Sequence, residues 1–224
     1  MSVEKTYYQK NIELNQHDAL IIVDMQNDFM PGGALSVDEG DQIIDSINKV
    51  AEIFKENNGI IVLTQDWHPK NHMSFASSHT GKDPGVEFHS EGIGPILWPD
   101  HCIQGSKGAN FHDKLKVTLA HAIIRKGYNP KVDSYSGFIE NDKKSETGLA
   151  GYLNSLKIKR IFICGLALDY CCYFTALDGF NFGFDVYFLV NLTRGIDLPP
   201  GNISKSLQHM RDKGIKFATK DNLI

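Results

Sequence analysis

Apolar residues occur along this chain in short unbroken runs, each closed by a charged or small residue. The first is Ala-Leu-Ile-Ile-Val at 19–23, closed by Asp24. A run without polar alternation predicts a strand covered on both faces, as in parallel sheets. Similar runs predict strands at 60–63, with the segment ending near Asp66, at 119–125 before Lys126-Gly127, at 160–164, at 185–190 and, briefly, at 215–218. Between them the period changes. Ile43, Ile44, Ile47, Val50, Ala51 and Phe54 recur at helical spacing over 41–57, and Asn58-Gly59 stops them. Leu149, Leu153 and Leu156 mark one side of a helix expected over 146–156, and further helices are expected over 169–182 and 204–213.

Strands alternating with helices predict the α/β class: one domain of three layers, α/β/α, around a mostly parallel sheet. The domain is expected over 19–224, with residues 1–18 as an N-terminal extension. Two stretches, 67–113 and 128–144, carry no long periodic pattern. Long irregular segments inside a compact domain are usually functional.

Composition narrows the class. The chain has 224 residues and is 42% hydrophobic, enough for one sizeable core. A formal charge of −4 without basic runs predicts no nucleic-acid partner and no membrane surface. Cys102, Cys164, Cys171 and Cys172 are too few for a disulfide framework, and two are adjacent. The first 16 residues hold no apolar signal core, so a cytoplasmic protein is expected. No coiled-coil or repeat pattern specifies an assembly, which leaves a homo-oligomer open.

In a parallel α/β sheet, ligands bind beyond the C-terminal strand ends. Asp24, Asp66, Lys126 and the turn holding Cys171 and Cys172 each follow a different strand. A cysteine at a helix start sits where the helix field favours an anion, so Cys171 or Cys172 is a candidate nucleophile. Asp24 can take the thiol proton, and Lys126 can stabilise the thiolate and keep Asp24 ionised. Asp66 and His68 stand two apart, so both point one way on an extended backbone. His72, His89 and His101 follow as further candidate metal ligands, whereas His79 and His112 have no such support.

Five segments carry a resemblance: Asp24-Met-Gln-Asn-Asp-Phe29, Asp66-Trp-His-Pro-Lys-Asn-His-Met-Ser-Phe75, Trp98-Pro-Asp-His-Cys102, Lys126-Gly127 and Gly165-Leu-Ala-Leu-Asp-Tyr-Cys171. In this order, from residue 19 to the C-terminus, the chain resembles the nicotinamidase (pyrazinamidase) family, a branch of the isochorismatase-like cysteine hydrolases. The resemblance implies the isochorismatase-like fold and hydrolysis of nicotinamide to nicotinate and ammonia in NAD salvage, with pyrazinamide as a second substrate. It also implies Cys171 as nucleophile, forming a thioester, with Asp24 as base and Lys126 completing the triad. Asp66, His68 and His101 match the family's metal ligands, and His72 a histidine near the metal that ligates it in some members. His89 has no family counterpart. One divalent ion is implied, Zn²⁺ ahead of Fe²⁺ or Mn²⁺. Phe29 and Trp98 match aromatics that flank the substrate ring, and Tyr135 in Tyr-Ser-Gly-Phe138 joins them. Ala167 matches the residue whose amide, with that of Cys171, forms the oxyanion hole, and the Leu166–Ala167 bond before it is cis in similar proteins.

Three competing readings remain at this stage: an amidohydrolase of the superfamily for another small amide, a metallohydrolase with a structural cysteine, and a silent binding protein. The metal set opposes the first. Cysteine alkylation separates the second, and an intact Asp24, Lys126 and Cys171 opposes the third.

Overall fold

The computed structural model of the chain describes residues 8, 9 and 11–224. At its centre lies β1 (Asp18–Val23), buried along its whole length. β2 (Ile60–Asp66) and β4 (Arg160–Leu166) flank it, both parallel to it. β3 (Ala122–Lys126) closes one edge, and β5 (Asp185–Arg194) followed by β6 (Lys216–Ala218) closes the other. The order is β3-β2-β1-β4-β5-β6, with every neighbouring pair parallel.

Side chains alternate across a strand, so one apolar run feeds two cores. Leu20 and Ile22 pack toward α1 (Ile44–Glu56), where Ile44, Ile47, Val50 and Phe54 form the buried face. Ala19, Ile21 and Val23 pack with α2 (Leu149–Ser155), α3 (Tyr173–Asn181) and α4 (Asn202–Asp212) on the opposite face. Full burial of a side chain such as Phe54 contributes about 2 kcal/mol.

Several boundaries differ from the sequence pattern. β3 starts at Ala122, because Val117–Leu119 closes a 3₁₀ turn. As an edge strand it leaves Ile123 exposed. α2 starts at Leu149, since Gly148 takes a left-handed φ of 94° and Glu146 pairs with Ile139 instead. β4 runs on to Leu166 and β5 to Arg194, with a register shift between Ile163 and Gly165. A π-helical turn, Leu168–Cys172, precedes α3.

Residues 1–7 and residue 10 of the expected extension lie outside the described residues. The rest of it follows the β6 edge and the C-terminus. Gln9 N–H donates to the Phe217 carbonyl at 2.9 Å, Ile12 N–H to Asn222 at 2.7 Å and Leu14 N–H to Ile224 at 3.1 Å. Backbone groups that would otherwise form an open edge are thereby paired. Among the described residues, no helix is long and apolar enough to cross a membrane.

The chain winds from β1 toward β3 on one side and from β4 toward β6 on the other. The winding therefore reverses between β1 and β4, where a crevice opens at the C-terminal strand ends. Asp24 and Cys171 follow those two strands.

Candidate active site

Lys126 ends β3 and is wholly buried. Its Nζ lies 2.9 Å from Asp24 Oδ2, bonds Asp66 Oδ1, donates to the Ser134 carbonyl at 2.9 Å and reaches Cys171 Sγ at 3.5 Å. Four segments distant in sequence thus meet at one ammonium. Thr64 orients Asp24: its Oγ1 donates to Asp24 Oδ1 at 2.6 Å and accepts the Asp24 N–H at 3.2 Å. Gln26 ties the ends of β1 and β2, donating to the Asp66 carbonyl and accepting the Asp66 N–H, both at 2.8 Å.

Burial and charge compete at each group. Burial would lower the Lys126 ammonium, but Asp24 and Asp66 outweigh it and hold it well above the usual lysine range. Burial would raise Asp66, yet Lys126 and His68 keep it well below the usual carboxylate range. Asp24 stays raised, because burial exceeds the pull of Lys126. The Cys171 thiol is pushed up by burial against the lowering effect of Lys126. The field at a helix start favours the thiolate and would lower the thiol, and desolvation by burial overrides it.

Beside this cluster, Asp66, His68 and His101 bring one ligand atom each within 4.8 Å of one another, all buried. His68 Nδ1 lies 2.9 Å from the Gly127 carbonyl, and His101 Nδ1 lies 2.8 Å from the Pro99 carbonyl. Each Nδ1–H donates to its carbonyl, which fixes the tautomer and leaves Nε2 to accept. Both Nε2 atoms face Asp66 Oδ2, at 3.6 and 3.8 Å. This is a hard and borderline donor set suited to one divalent ion. His72 is buried nearby, its ring 4.4 Å from that of His68. Its Nδ1 accepts from the Ser74 amide and hydroxyl, and its Nε2 faces the Val132 carbonyl at 3.2 Å. Burial lowers it to about 4, so it is neutral at pH 7. His89 is exposed and pairs with Glu87.

The long loop after β2 is ordered by short backbone bridges rather than regular elements. His68 pairs with Ile103 and Phe75 with Trp98, which carries His101 and Trp98 to the strand ends. Gly127 has a φ of 66°, and a Cβ there would stand 2.4 Å from His68 Cε1. Gly127→Ala is therefore expected to displace the His68 ring and weaken divalent-ion binding by roughly 10–100-fold. Chelator competition measures this, and unchanged affinity would show that the glycine is dispensable.

A pocket joins the two clusters. Phe29, Trp98, Tyr135, Ala167 and Cys171 line it together with Asp66 and His101. Trp98 Nε1–H donates to Tyr135 Oη at 3.0 Å, and that hydroxyl donates to the Gly94 carbonyl at 3.0 Å. The Leu166–Ala167 bond is cis. Cys172 lies in the apolar core, fully buried.

Sequence reasoning missed Asp133, Leu35, Tyr170 and Ile196, which also line the pocket, and Thr64 and Gln26, which position its carboxylates. Tyr170 lay within a motif already singled out. Asp133 lies in the aperiodic stretch, where no pattern marks it. Glu140, on the same stretch, is raised to about 7, first by burial and then by Asp142 and Asp133. A carboxyl with a raised folded pKa costs stability above that pKa and nothing below the unfolded value. Glu140→Gln is expected to stabilise the fold above pH 7 by on the order of 1 kcal/mol, since solvent screens part of the cost. Urea melts should show that gain vanishing by about pH 4.5, the ordinary glutamate value.

Comparison with known proteins places the chain. A family model described as the isochorismatase domain matches residues 18–222. The nicotinamidase of Acinetobacter baylyi is 42% identical over 206 residues, covering 92% of this chain and 94% of its own. A protein of L. infantum solved in complex with nicotinate is 38% identical, with a TM-score of 0.82 over 95% of this chain and 98% of that one. The pyrazinamidase of Pyrococcus horikoshii solved in complex with zinc is 40% identical, with a TM-score of 0.74 over 91% and 99%.

Proposed function

The chain belongs to the isochorismatase family, and from that premise we propose that it is a nicotinamidase, hydrolysing nicotinamide to nicotinate and ammonia and accepting pyrazinamide as well. The observation that carries the reading is the meeting of Asp24, Lys126 and Cys171 beside an Asp66–His68–His101 group in one aromatic pocket. Phe29 and Trp98 give that pocket aromatic walls suited to a flat heteroaromatic ring, and Cys171 lines the same space.

Asp24 takes the Cys171 proton, and Lys126 balances the charge that forms on sulfur. The thiolate attacks the carboxamide carbon and the C=O π pair moves to oxygen. That oxyanion is met by the amides of Ala167 and Cys171, worth roughly 3 kcal/mol per donor in other enzymes. Collapse breaks the C–N bond, Asp24 returns the proton to the leaving nitrogen, and ammonia departs from a Cys171 thioester. Asp24 then takes a proton from water, whose oxygen attacks the thioester. Collapse breaks the C–S bond, the proton on Asp24 goes back to sulfur, and the acid released loses its remaining proton to solvent as nicotinate.

Asp66, His68 and His101 would hold one divalent ion, with Zn²⁺ first on the donor set, and it would supply a Lewis-acid contact that orients the ring nitrogen. The four cysteines, all free, suit a cytoplasmic place in NAD salvage. The test is ammonia release from nicotinamide by purified protein before chelation, after it and after metal add-back. Release that falls on chelation and returns with the ion is expected. No release with any divalent ion would remove the reading.

A further inference from the structure

The carboxylate of Asp133 has no task in the chemistry just described, and its setting is unusual. The residue is 2% exposed and lines the pocket beside Asp66 and His101. Oδ1 accepts the Ser134 N–H at 2.9 Å, whereas Oδ2 is buried with no hydrogen-bond partner. A buried carboxylate oxygen without a donor costs free energy, so one at a pocket wall points to a donor that arrives with the pocket's contents.

Neighbouring groups narrow what that donor is. A ligand atom of Asp133 lies within 4.8 Å of one on His68 and one on His72. His72 has both nitrogens engaged by Ser74 and Val132, so it is not the missing partner. His68 belongs to the Asp66–His68–His101 group, but Asp133 falls outside that close set. Asp133 therefore stands next to the candidate metal centre, in a second close set with His68 and His72 in which both His72 nitrogens are already engaged. Carboxylates in that position accept hydrogen bonds from groups that complete an ion's coordination shell.

We propose that Asp133 is a positioning residue of the metal centre: its Oδ2 accepts a hydrogen bond from the water that completes the shell of the ion held by Asp66, His68 and His101. The inference rests on the metal-dependent reading above and extends it to a residue outside the motifs that carry the family resemblance.

Asp133→Asn separates this role from a structural one. The asparagine carbonyl still accepts the Ser134 N–H, but its NH₂ cannot accept at the Oδ2 position. Metal-free protein is titrated with Zn²⁺ against a chromophoric chelator, without substrate, and its thermal melting is recorded. The expected result is Zn²⁺ affinity weaker by roughly 10–100-fold, with melting of the metal-free form unchanged. If the asparagine variant melts lower, Asp133→Ser takes its place in the same titration, because it is smaller and keeps an oxygen for Ser134. Wild-type affinity in a folded variant overturns the proposal, including the case where only KM for nicotinamide rises. Failure of the underlying reading looks different. Wild-type protein would then bind no divalent ion, or His101→Ala would bind it equally well, and the metal centre would fall together with this inference.

Discussion

Cys171→Ala is expected to lower kcat for nicotinamide by roughly 10⁴–10⁶-fold, as nucleophile removal does in other covalent hydrolases, while Cys172→Ala keeps most activity. The two thiols are adjacent in sequence but differ in surroundings. Cys171 lines the pocket with its sulfur 3.5 Å from the Lys126 ammonium. Cys172 sits in the core with Ile163, Ala176 and Phe188, and its thiol is pushed well up by burial and then by Cys164. Its loss should cost about 1 kcal/mol of stability through packing alone. Ammonia release by the two variants decides the matter, and a dead Cys172→Ala beside an active Cys171→Ala would reverse the assignment.

Lys126→Met is expected to damage fold and activity together. The ammonium is buried and stands between Asp24 and Asp66, both themselves buried. Methionine fills the space but leaves the two carboxylates facing each other without a cation. Breaking a buried ion pair from one side costs about 3–5 kcal/mol. The thiolate also loses its counter-charge, so kcat should fall by roughly 10³-fold in the variant that remains folded. Urea unfolding followed by both circular dichroism and activity separates the two effects. A variant as stable as wild type would show that Lys126 is not the charge that holds the carboxylates.

The strand ends were legible because each apolar run stops at a chemically capable residue. Asp24, Asp66 and Lys126 close β1, β2 and β3, and Cys171 follows β4 by one turn. Parallel pairing then places all four at one edge. Local pattern was weaker where backbone geometry decides. Nothing in the apolar period marks Gly148 as the stop that shortens α2, or the 3₁₀ turn that delays β3. The sign of the Cys171 shift was also out of reach, because burial depends on residues from distant segments, Trp98 and Tyr135 among them, that line the pocket with it. Thr64 and Asp133 act through contacts with residues 40 and more positions away or through an unpaired oxygen. Such partners belong to the tertiary structure and leave no mark in the spacing.

The proposed mechanism turns on a nicotinoyl thioester on Cys171. Acid quenching of metal-loaded protein during nicotinamide turnover, followed by mass mapping of the cysteine peptides, tests it most directly. One nicotinoyl group on Cys171, none on Cys172 and no turnover in Cys171→Ala are expected. Nicotinate formed by Cys171→Ala at the wild-type rate, with no adduct on any cysteine of the wild-type protein, would contradict the mechanism.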